Sequence, residues 1–119
     1  MVKQLIHKKE MSINKVTLLG HVCADPKIIT FDNGEKLCSF NLATNEKGYT
    51  TKEGHIICDS VEYHRIVLKR AGLIELAEKY IAKGKKLYCE GKIKTRTIGL
   101  VDGDIKDVKE IIVDVLELM

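Results

Sequence analysis

The amino-acid sequence predicts one small all-β domain in which a single helix is inserted between the third and the fourth of five strands. Five segments carry apolar residues in strand-like patterns, mostly with a period of two, and one segment has apolar residues at helical spacing. With 119 residues, the chain is long enough for one domain with one modest core. Hydrophobic residues at 45% and charged residues at 31% argue against disorder.

The five predicted strands follow one another along the chain. The first, second and fourth place alternate apolar residues on one face, the third is longer, and the last has apolar residues on both faces. An Asn33-Gly34 turn signal precedes the second strand. The predicted ranges are Ile13–Val22, Leu37–Thr44, Ile56–Leu68, Leu87–Thr97 and Glu110–Met119.

The helix is predicted over Leu73–Ala82, where apolar residues recur at helical spacing, and Gly84 follows where a left-handed helix cap is favourable. Two polar segments that contain glycine are expected to be mobile: Glu46–His55, the tip of a hairpin, and Gly99–Lys109, a flexible loop before the last strand. Five strands with one helix after the third form the layout of the OB-fold. This five-stranded, partly open Greek-key barrel binds oligonucleotides or oligosaccharides in many proteins.

Positive charge is concentrated in one part of the chain. Tyr63–Ile98 contains ten Lys or Arg residues and three Glu residues, a net charge of +7, whereas the whole chain has a net charge of +3. Lys92, Lys94 and Arg96 alternate along the fourth strand and therefore share one face, spaced by about 6.6–6.8 Å, close to the phosphate repeat of an extended single strand. This segregation predicts a surface that binds a polyanion.

Catalytic and metal-binding patterns have little support in the sequence. GxSxG, P-loop and HExxH motifs do not occur, and His55 and Cys58 have the spacing of only half a zinc site. We therefore predict a protein that is not an enzyme and that has no metal site and no cofactor. The four cysteines show no CxxC pairing, and we expect reduced, buried residues at Cys23, Cys38, Cys58 and Cys89.

The sequence also bears on localisation. No apolar run approaches 18 residues, so we expect no membrane-spanning helix. Leu5 and Ile6 form an apolar pair too short for the core of a signal peptide, and we expect the protein to stay in the cytoplasm.

Six motifs follow one another along the chain: NKVTLLG at Asn14–Gly20, ADP at Ala24–Pro26, FNLATNE at Phe40–Glu46, YHRIVL at Tyr63–Leu68, LAEKYIAKGKKLYCEGKIKTR at Leu76–Arg96 and the closing IIVDVLELM. In register, these motifs resemble the bacterial single-stranded DNA-binding proteins, and the resemblance extends from about Asn14 to Met119. Met11 stands where chains of that family usually begin, so residues 1–11 are expected to be a flexible leader or an alternative start, and residues 12–119 the OB-fold domain.

The resemblance implies a homotetramer that binds single-stranded DNA without strong sequence preference and acts in DNA replication, repair and recombination by coating unpaired strands. In that family, aromatic side chains stack on bases while Lys and Arg follow the phosphates. Without the resemblance, Tyr63 and Tyr49 would be interpreted as half-buried aromatic residues of a strand and a loop. The resemblance also places His64 at a subunit interface, and we expect Tyr88 to lie near a subunit contact. Carried over by position, the DNA-binding residues are Tyr49, Tyr63, Arg65, Lys69, Lys83, Lys92, Lys94 and Arg96.

The chain departs from the family pattern at several positions. Lys69 stands where the family has a stacking Phe, Ile98 where it commonly has Trp, and the chain contains no Trp. Losing two stacking residues would cost about 2–6 kcal/mol of binding per subunit, of which a phosphate contact by Lys69 would restore part. Family members usually end in a tail with an acidic tip that recruits other enzymes. This sequence stops at Met119, so either a tail has been removed or the protein is a tailless form, and tail-mediated recruitment is not expected from this chain.

Two other functions stay open on the sequence. A primosomal replication protein, a tailless dimeric relative of the same fold, also fits a short basic domain with few aromatic residues, and a dimeric mass in solution would favour it. An OB-type module whose basic face meets an acidic protein partner would show no binding to oligo-dT at low salt.

Overall fold

The computed structural model describes residues 11–119, so the first ten residues of the predicted leader lie outside the described part of the chain. None of the helical structure in residues 11–119 has the length and apolar character needed to cross a membrane. The described residues form one helix, α1 (Ala71–Tyr80), and eight strands: β1 (Val16–Val22), β2 (Lys27–Thr30), β3 (Lys36–Glu46), β4 (Tyr49–Thr50), β5 (Ile56–Ile57), β6 (Ser60–Leu68), β7 (Lys86–Gly99) and β8 (Ile105–Leu118).

Five of the strands close into a barrel. They are hydrogen-bonded in the order β1, β7, β8, β6 and β3, and the ring closes where His21 and Val22 of β1 pair with β3. β6 and β8 run parallel, whereas the other neighbours are antiparallel. Because α1 lies between the third and the fourth barrel strand, the predicted OB-fold layout is confirmed.

The core lies inside the barrel and is built from alternate residues of its strands. Leu42, Ile66, Leu68 and Leu87 are among the largest fully buried side chains, and α1 adds Ile74 and Ala77 to the same cluster. Alternation puts these residues on one face of each strand, so burying that face leaves the other face for solvent or ligands.

The closure of the barrel depends on a glycine. A Cβ atom at Gly20 of β1 would lie 2.3 Å from the carbonyl oxygen of Ala43 in β3. No side chain fits in that space, so glycine is what allows the two backbones to meet there.

The prediction of a flexible loop over Gly99–Lys109 is wrong. β7 continues to Gly99 and β8 begins at Ile105, so the two strands form one long hairpin. The turn between them is closed by a backbone hydrogen bond of 2.7 Å from Leu100 to Asp104. The end of this hairpin extends beyond the core and has exposed residues on both faces, so the sequence there lacks the alternation that marks a strand.

A β-bulge in β8 changes which residues face the core. The register against β7 shifts between Glu90 and Gly91, and Asp114 falls outside the pairing. Strict alternation would put Val115 on the core face with the buried Val113. The bulge instead turns Val115 outward, where it is 39% exposed, and brings the two leucines that follow it in β8 against the core.

The helix also differs from its prediction. α1 begins and ends two residues earlier than Leu73–Ala82. The residue after it, Ile81, has an extended backbone with φ −94° and ψ 125°, so Gly84, with φ 89°, belongs to the turn before β7 and does not cap the helix. Tyr80, the last residue of the helix, is 58% exposed.

Two short strands, β2 and β4, were not predicted from the sequence, and the predicted third strand, Ile56–Leu68, is divided into β5 and β6. β2 pairs with the beginning of β3 around the predicted Asn33-Gly34 turn, while β4 and β5 form a separate two-stranded ribbon. Strands of two to four residues are too short to show a period.

The cysteines follow the expectation only in part. All four are free thiols; Cys38 and Cys89 are buried and Cys23 is partly buried. Cys58, which was expected to be buried, is exposed because it lies in the short connection between the ribbon and β6.

Candidate nucleic-acid interface

The outward sides of β6, β8 and β7 form one continuous surface, which we call the basic face. It carries Tyr63 and Arg65 from β6 and three cations from β7, Lys92, Lys94 and Arg96. The parallel register of β6 with β8 and the antiparallel register of β7 with β8 turn all of them to the same side. Since β8 separates the two strands, β6 and β7 lie about 9–10 Å apart across the surface.

Tyr63 presents its ring to solvent and is 68% exposed. Its partner on β3 is Ala43, which is too small to cover an aromatic ring. On the core-facing side of the same strand, Ile66 and Leu68 are fully buried and fix the position of β6. The structure therefore holds this tyrosine on a rigid strand with its ring available for stacking.

A buried carboxylate lies between the arginines of the basic face. Glu110 of β8 is 7% exposed. It accepts a hydrogen bond of 2.9 Å from Nε of Arg65 and two from Arg96, of 3.2 Å from Nε and 3.1 Å from Nη2. Burial raises the pKa of Glu110, but the hydrogen bonds and charges of Arg96 and Arg65 outweigh it, and the pKa is held below its usual value. Glu110 is therefore ionised near neutral pH.

Lys69 and Lys92 line a cavity of about 430 Å³ beside the basic face, together with Lys15 and Arg70. Arg70 donates a hydrogen bond of 3.1 Å to the backbone carbonyl of Asp114, and Lys15 forms an ion pair of 3.6 Å with a glutamate of β7. Within residues 11–119, Lys69 and Lys92 form no ion pair and are exposed. Their ammonium groups are therefore available to an anion.

A larger cavity, of about 870 Å³, lies between the β2–β3 hairpin and α1. It shares only Lys69 with the predicted site, and Phe31, Leu37 and Ile74 supply apolar lining. The ion pair of 3.3 Å between Lys36 and Glu78 lies within this lining. Its charged groups have both signs, which does not favour an extended anion.

Two of the predicted DNA-binding residues lie apart from the basic face. Tyr49, which is 64% exposed, is in the β4–β5 ribbon. Lys83 follows α1 and its backbone N–H donates a hydrogen bond of 2.9 Å to Asp25. From Lys86, where β7 begins, to Lys92 the strand advances about 20 Å. A ligand that contacts all eight predicted residues must therefore follow a long path around the barrel.

The two predicted interface residues, His64 and Tyr88, lie on different sides of their strands. His64 points to the inner side of β6, where its Nε2 lies 2.9 Å from Oγ1 of Thr44. Tyr88 lies on the outer side of β7, where its hydroxyl donates a hydrogen bond to Glu90, and it pairs with Leu19 of β1. Any subunit contacts that they make are therefore two separate contacts.

Three residues of this surface were not predicted from the sequence: Glu110, Lys15 and Arg70. Glu110 was counted only as the first residue of the last predicted strand. The available signal was an acidic residue directly before an apolar run, since Ile111–Val115 contains four apolar residues and one Asp. An acidic residue in such a position needs a cationic partner when it is buried. Nothing in the sequence indicated that Lys15 and Arg70 approach Lys92.

Comparisons with known proteins agree with this architecture. The model of the single-strand binding protein family matches residues 13–119. The chain is 43% identical over 109 residues to the single-stranded DNA-binding protein of Bacteroides thetaiotaomicron, covering 92% of this chain and 67% of that protein. It is 39% identical over 103 residues to the protein of the same name from Rickettsia typhi, covering 85% and 66%. It thus spans about two thirds of the length of these relatives.

A solved structure of the Plasmodium falciparum SSB in complex with ssDNA has the same fold. It superposes with a TM-score of 0.83 at 30% sequence identity, covering 92% of this chain and 97% of that chain. The agreement in family, sequence and fold confirms the resemblance seen in the sequence motifs. The chain belongs to the single-strand binding protein family.

Proposed function

We propose that this protein binds single-stranded DNA without regard to sequence and acts in DNA replication, repair and recombination by coating and protecting unpaired strands. The observation that carries the proposal is the basic face, where an uncovered aromatic ring and four cations share one rigid surface. Membership of the single-strand binding protein family supports it.

The residues of the face divide into two roles. Tyr63 stacks on bases, a contact that tolerates any sequence because every base has a π-face. Lys92 and Lys94 follow the phosphates from β7. Lys69 extends the cationic surface into the neighbouring cavity, so it supplies charge where relatives of the family have a stacking Phe.

The remaining predicted residues extend the contact beyond one face. Tyr49 on the β4–β5 ribbon offers a second ring, and Lys83 a further cation near the beginning of β7. Their separation from the basic face fits a strand that passes around the barrel. In this proposal the protein carries out no catalytic step and needs no cofactor, because holding bases unpaired requires only binding energy.

The proposed assembly is a homotetramer that works in the cytoplasm, on the DNA there. Within residues 11–119, Val16–Gly20 of β1 pairs only with β7, so its other edge can pair with another chain. Leu19 beside it is 48% exposed, and Tyr88 lies next to Leu19 on β7. An apolar residue at an unpaired edge is suited to a contact between copies. His64 would take part in a second contact, which a tetramer needs and a dimer does not.

The proposal is tested by a fluorescence-polarisation titration with oligo-dT, mixed-sequence single strands and a duplex of equal length. We expect similar affinity for both single strands, weaker binding to duplex, and a fall in log K with log salt of about 0.7 per phosphate contacted. A salt-independent affinity, or equal binding to duplex and single strands, would contradict the proposal. Light scattering gives the mass, and a dimer would favour a primosomal replication protein.

A further inference from the structure

Glu110 is the one acidic side chain among residues 11–119 that is buried, and it is buried beneath two arginines of a DNA-binding surface. A carboxylate there is unexpected, because it repels phosphates and lowers the cationic charge of the face. Its side chain is 8% exposed, whereas those of Arg65 and Arg96 are 41% and 51% exposed. The arginines therefore lie over the carboxylate and face solvent.

The hydrogen bonds restrict how the two guanidinium groups are oriented. All N–H donors of a guanidinium lie in its plane. Arg96 uses Nε and Nη2 together on the two carboxylate oxygens, which is a bidentate contact, and Arg65 uses Nε. Because Glu110 binds the N–H donors at the edge of each guanidinium group, it does not cover the flat faces of these groups. A nucleic-acid base can stack on such a face.

The carboxylate also lowers the net charge of the cluster that Arg65, Arg96 and Glu110 form. Two arginines and one ionised glutamate carry a net charge of +1, although they offer two planar cationic groups. A duplex attracts proteins chiefly through its phosphates and keeps its bases stacked inside, whereas a single strand exposes the faces of its bases. Lowering the charge while keeping the planes therefore weakens binding to duplex more than binding to single strands.

Resting on the proposed function, we propose that Glu110 is a positioning residue that holds Arg65 and Arg96 as stacking surfaces and thereby makes the basic face select unpaired DNA over duplex. This chain has Lys69 and Ile98 at two positions where the family has stacking aromatic residues, and it contains no Trp. The two guanidinium groups replace part of that missing stacking surface.

The test uses Glu110→Gln, with Glu90→Gln as the matched control. Glutamine keeps the shape of the side chain but removes the charge, so the arginines are free to reach phosphates. Glu90 lies on the outer side of β7, as Glu110 lies on the outer side of β8. Its side-chain contacts are to Lys15 and Tyr88, not to an arginine. The control therefore removes one equal charge without freeing a guanidinium group.

For Glu110→Gln we expect the ratio of single-strand to duplex affinity to fall about tenfold, within the range for losing one stacking contact. The slope of log K against log salt for single strands should steepen by about 0.7 for each new phosphate contact. Glu90→Gln should strengthen binding to both DNAs and lower the ratio much less than Glu110→Gln does, because it raises the charge but leaves both arginine planes in place. An unchanged ratio in Glu110→Gln, or the same change in both variants, would overturn the inference.

A second variant keeps the inference testable if Glu110→Gln does not fold. Arg96→Lys keeps the charge but has no planar group, so single-strand affinity should fall about fivefold with an unchanged salt slope and unchanged duplex affinity. Wild-type single-strand affinity in Arg96→Lys would refute the stacking role. Failure of the wild-type protein to bind single strands would instead overturn the proposed function, and this distinguishes the two.

Discussion

Replacing Tyr63 by alanine removes the aromatic ring of the basic face while leaving its charges in place. The ring is 68% exposed, so little buried surface is lost, and the free energy of unfolding should change by no more than about 0.5 kcal/mol. Stacking of one base on an aromatic side chain contributes about 1–3 kcal/mol. The dissociation constant for single strands should therefore rise between about 5-fold and 150-fold.

The salt dependence separates stacking from charge in this experiment. Because Tyr63→Ala removes no cation, the slope of log K against log salt should equal that of the wild-type protein. Fluorescence-polarisation titrations of an oligo-dT strand at four or more salt concentrations measure both quantities, and thermal unfolding of each variant shows whether folding is intact.

Tyr80→Ala is the matched control for this prediction. Tyr80 is 58% exposed and belongs to α1, which is not part of the basic face, and its replacement removes the same atoms. It should bind single strands like the wild-type protein. Equal losses of affinity in the two variants, a loss below twofold in Tyr63→Ala, or a changed salt slope would refute the assignment of Tyr63 as a stacking residue.

Three further predictions concern charge, thiols and pH. Lys94→Ala should reduce the salt slope for single strands by about 0.7 at every base composition, and an unchanged slope would remove Lys94 from the phosphate path. A thiol reagent at pH 8 should modify the exposed Cys58 first. Cys38 and Cys89, where burial raises the pKa to about 11, should react only after denaturant is added, and their rapid labelling in the folded protein would contradict the packing. Because the pKa of Glu110 is lowered on folding, its ion pairs stabilise the protein above about pH 4.3, the ordinary value for Glu, and this stabilisation is lost as pH falls through the lowered pKa. Thermal unfolding between pH 7 and 3 should show a smaller acid loss in Glu110→Gln than in the wild-type protein; parallel curves would show that the pairs contribute nothing.

Much of the fold was predictable because its signals are local. Buried residues recur at every second position in β3 and β6, and the apolar residues of α1 recur at helical spacing. The order in which the barrel strands and the helix follow one another along the chain was therefore predictable from the sequence. The same period put Lys92, Lys94 and Arg96 on one side of β7, and the register of that strand confirms their shared face.

The sequence does not indicate backbone geometry that depends on a neighbouring strand. The outward turn of Val115 follows from a register shift at Gly91 of β7. A Cβ atom at Gly91 would lie 2.2 Å from the carbonyl oxygen of Ile112, so the close approach there depends on glycine in one strand and the extra residue in the other. An alternation pattern along β8 alone contains no record of that pairing.

The sequence by itself determined the barrel, its helix and the side of β7 on which the cations stand, because periodicity along a strand fixes which residues share a face. Only the tertiary structure decided that Glu110 lies between Arg65 and Arg96. Arg65 and Glu110 are 45 residues apart in the chain, and they meet because closure of the barrel places β8 between β6 and β7. Contacts across strands depend on which strands become neighbours, and that is set by the packing of the whole core.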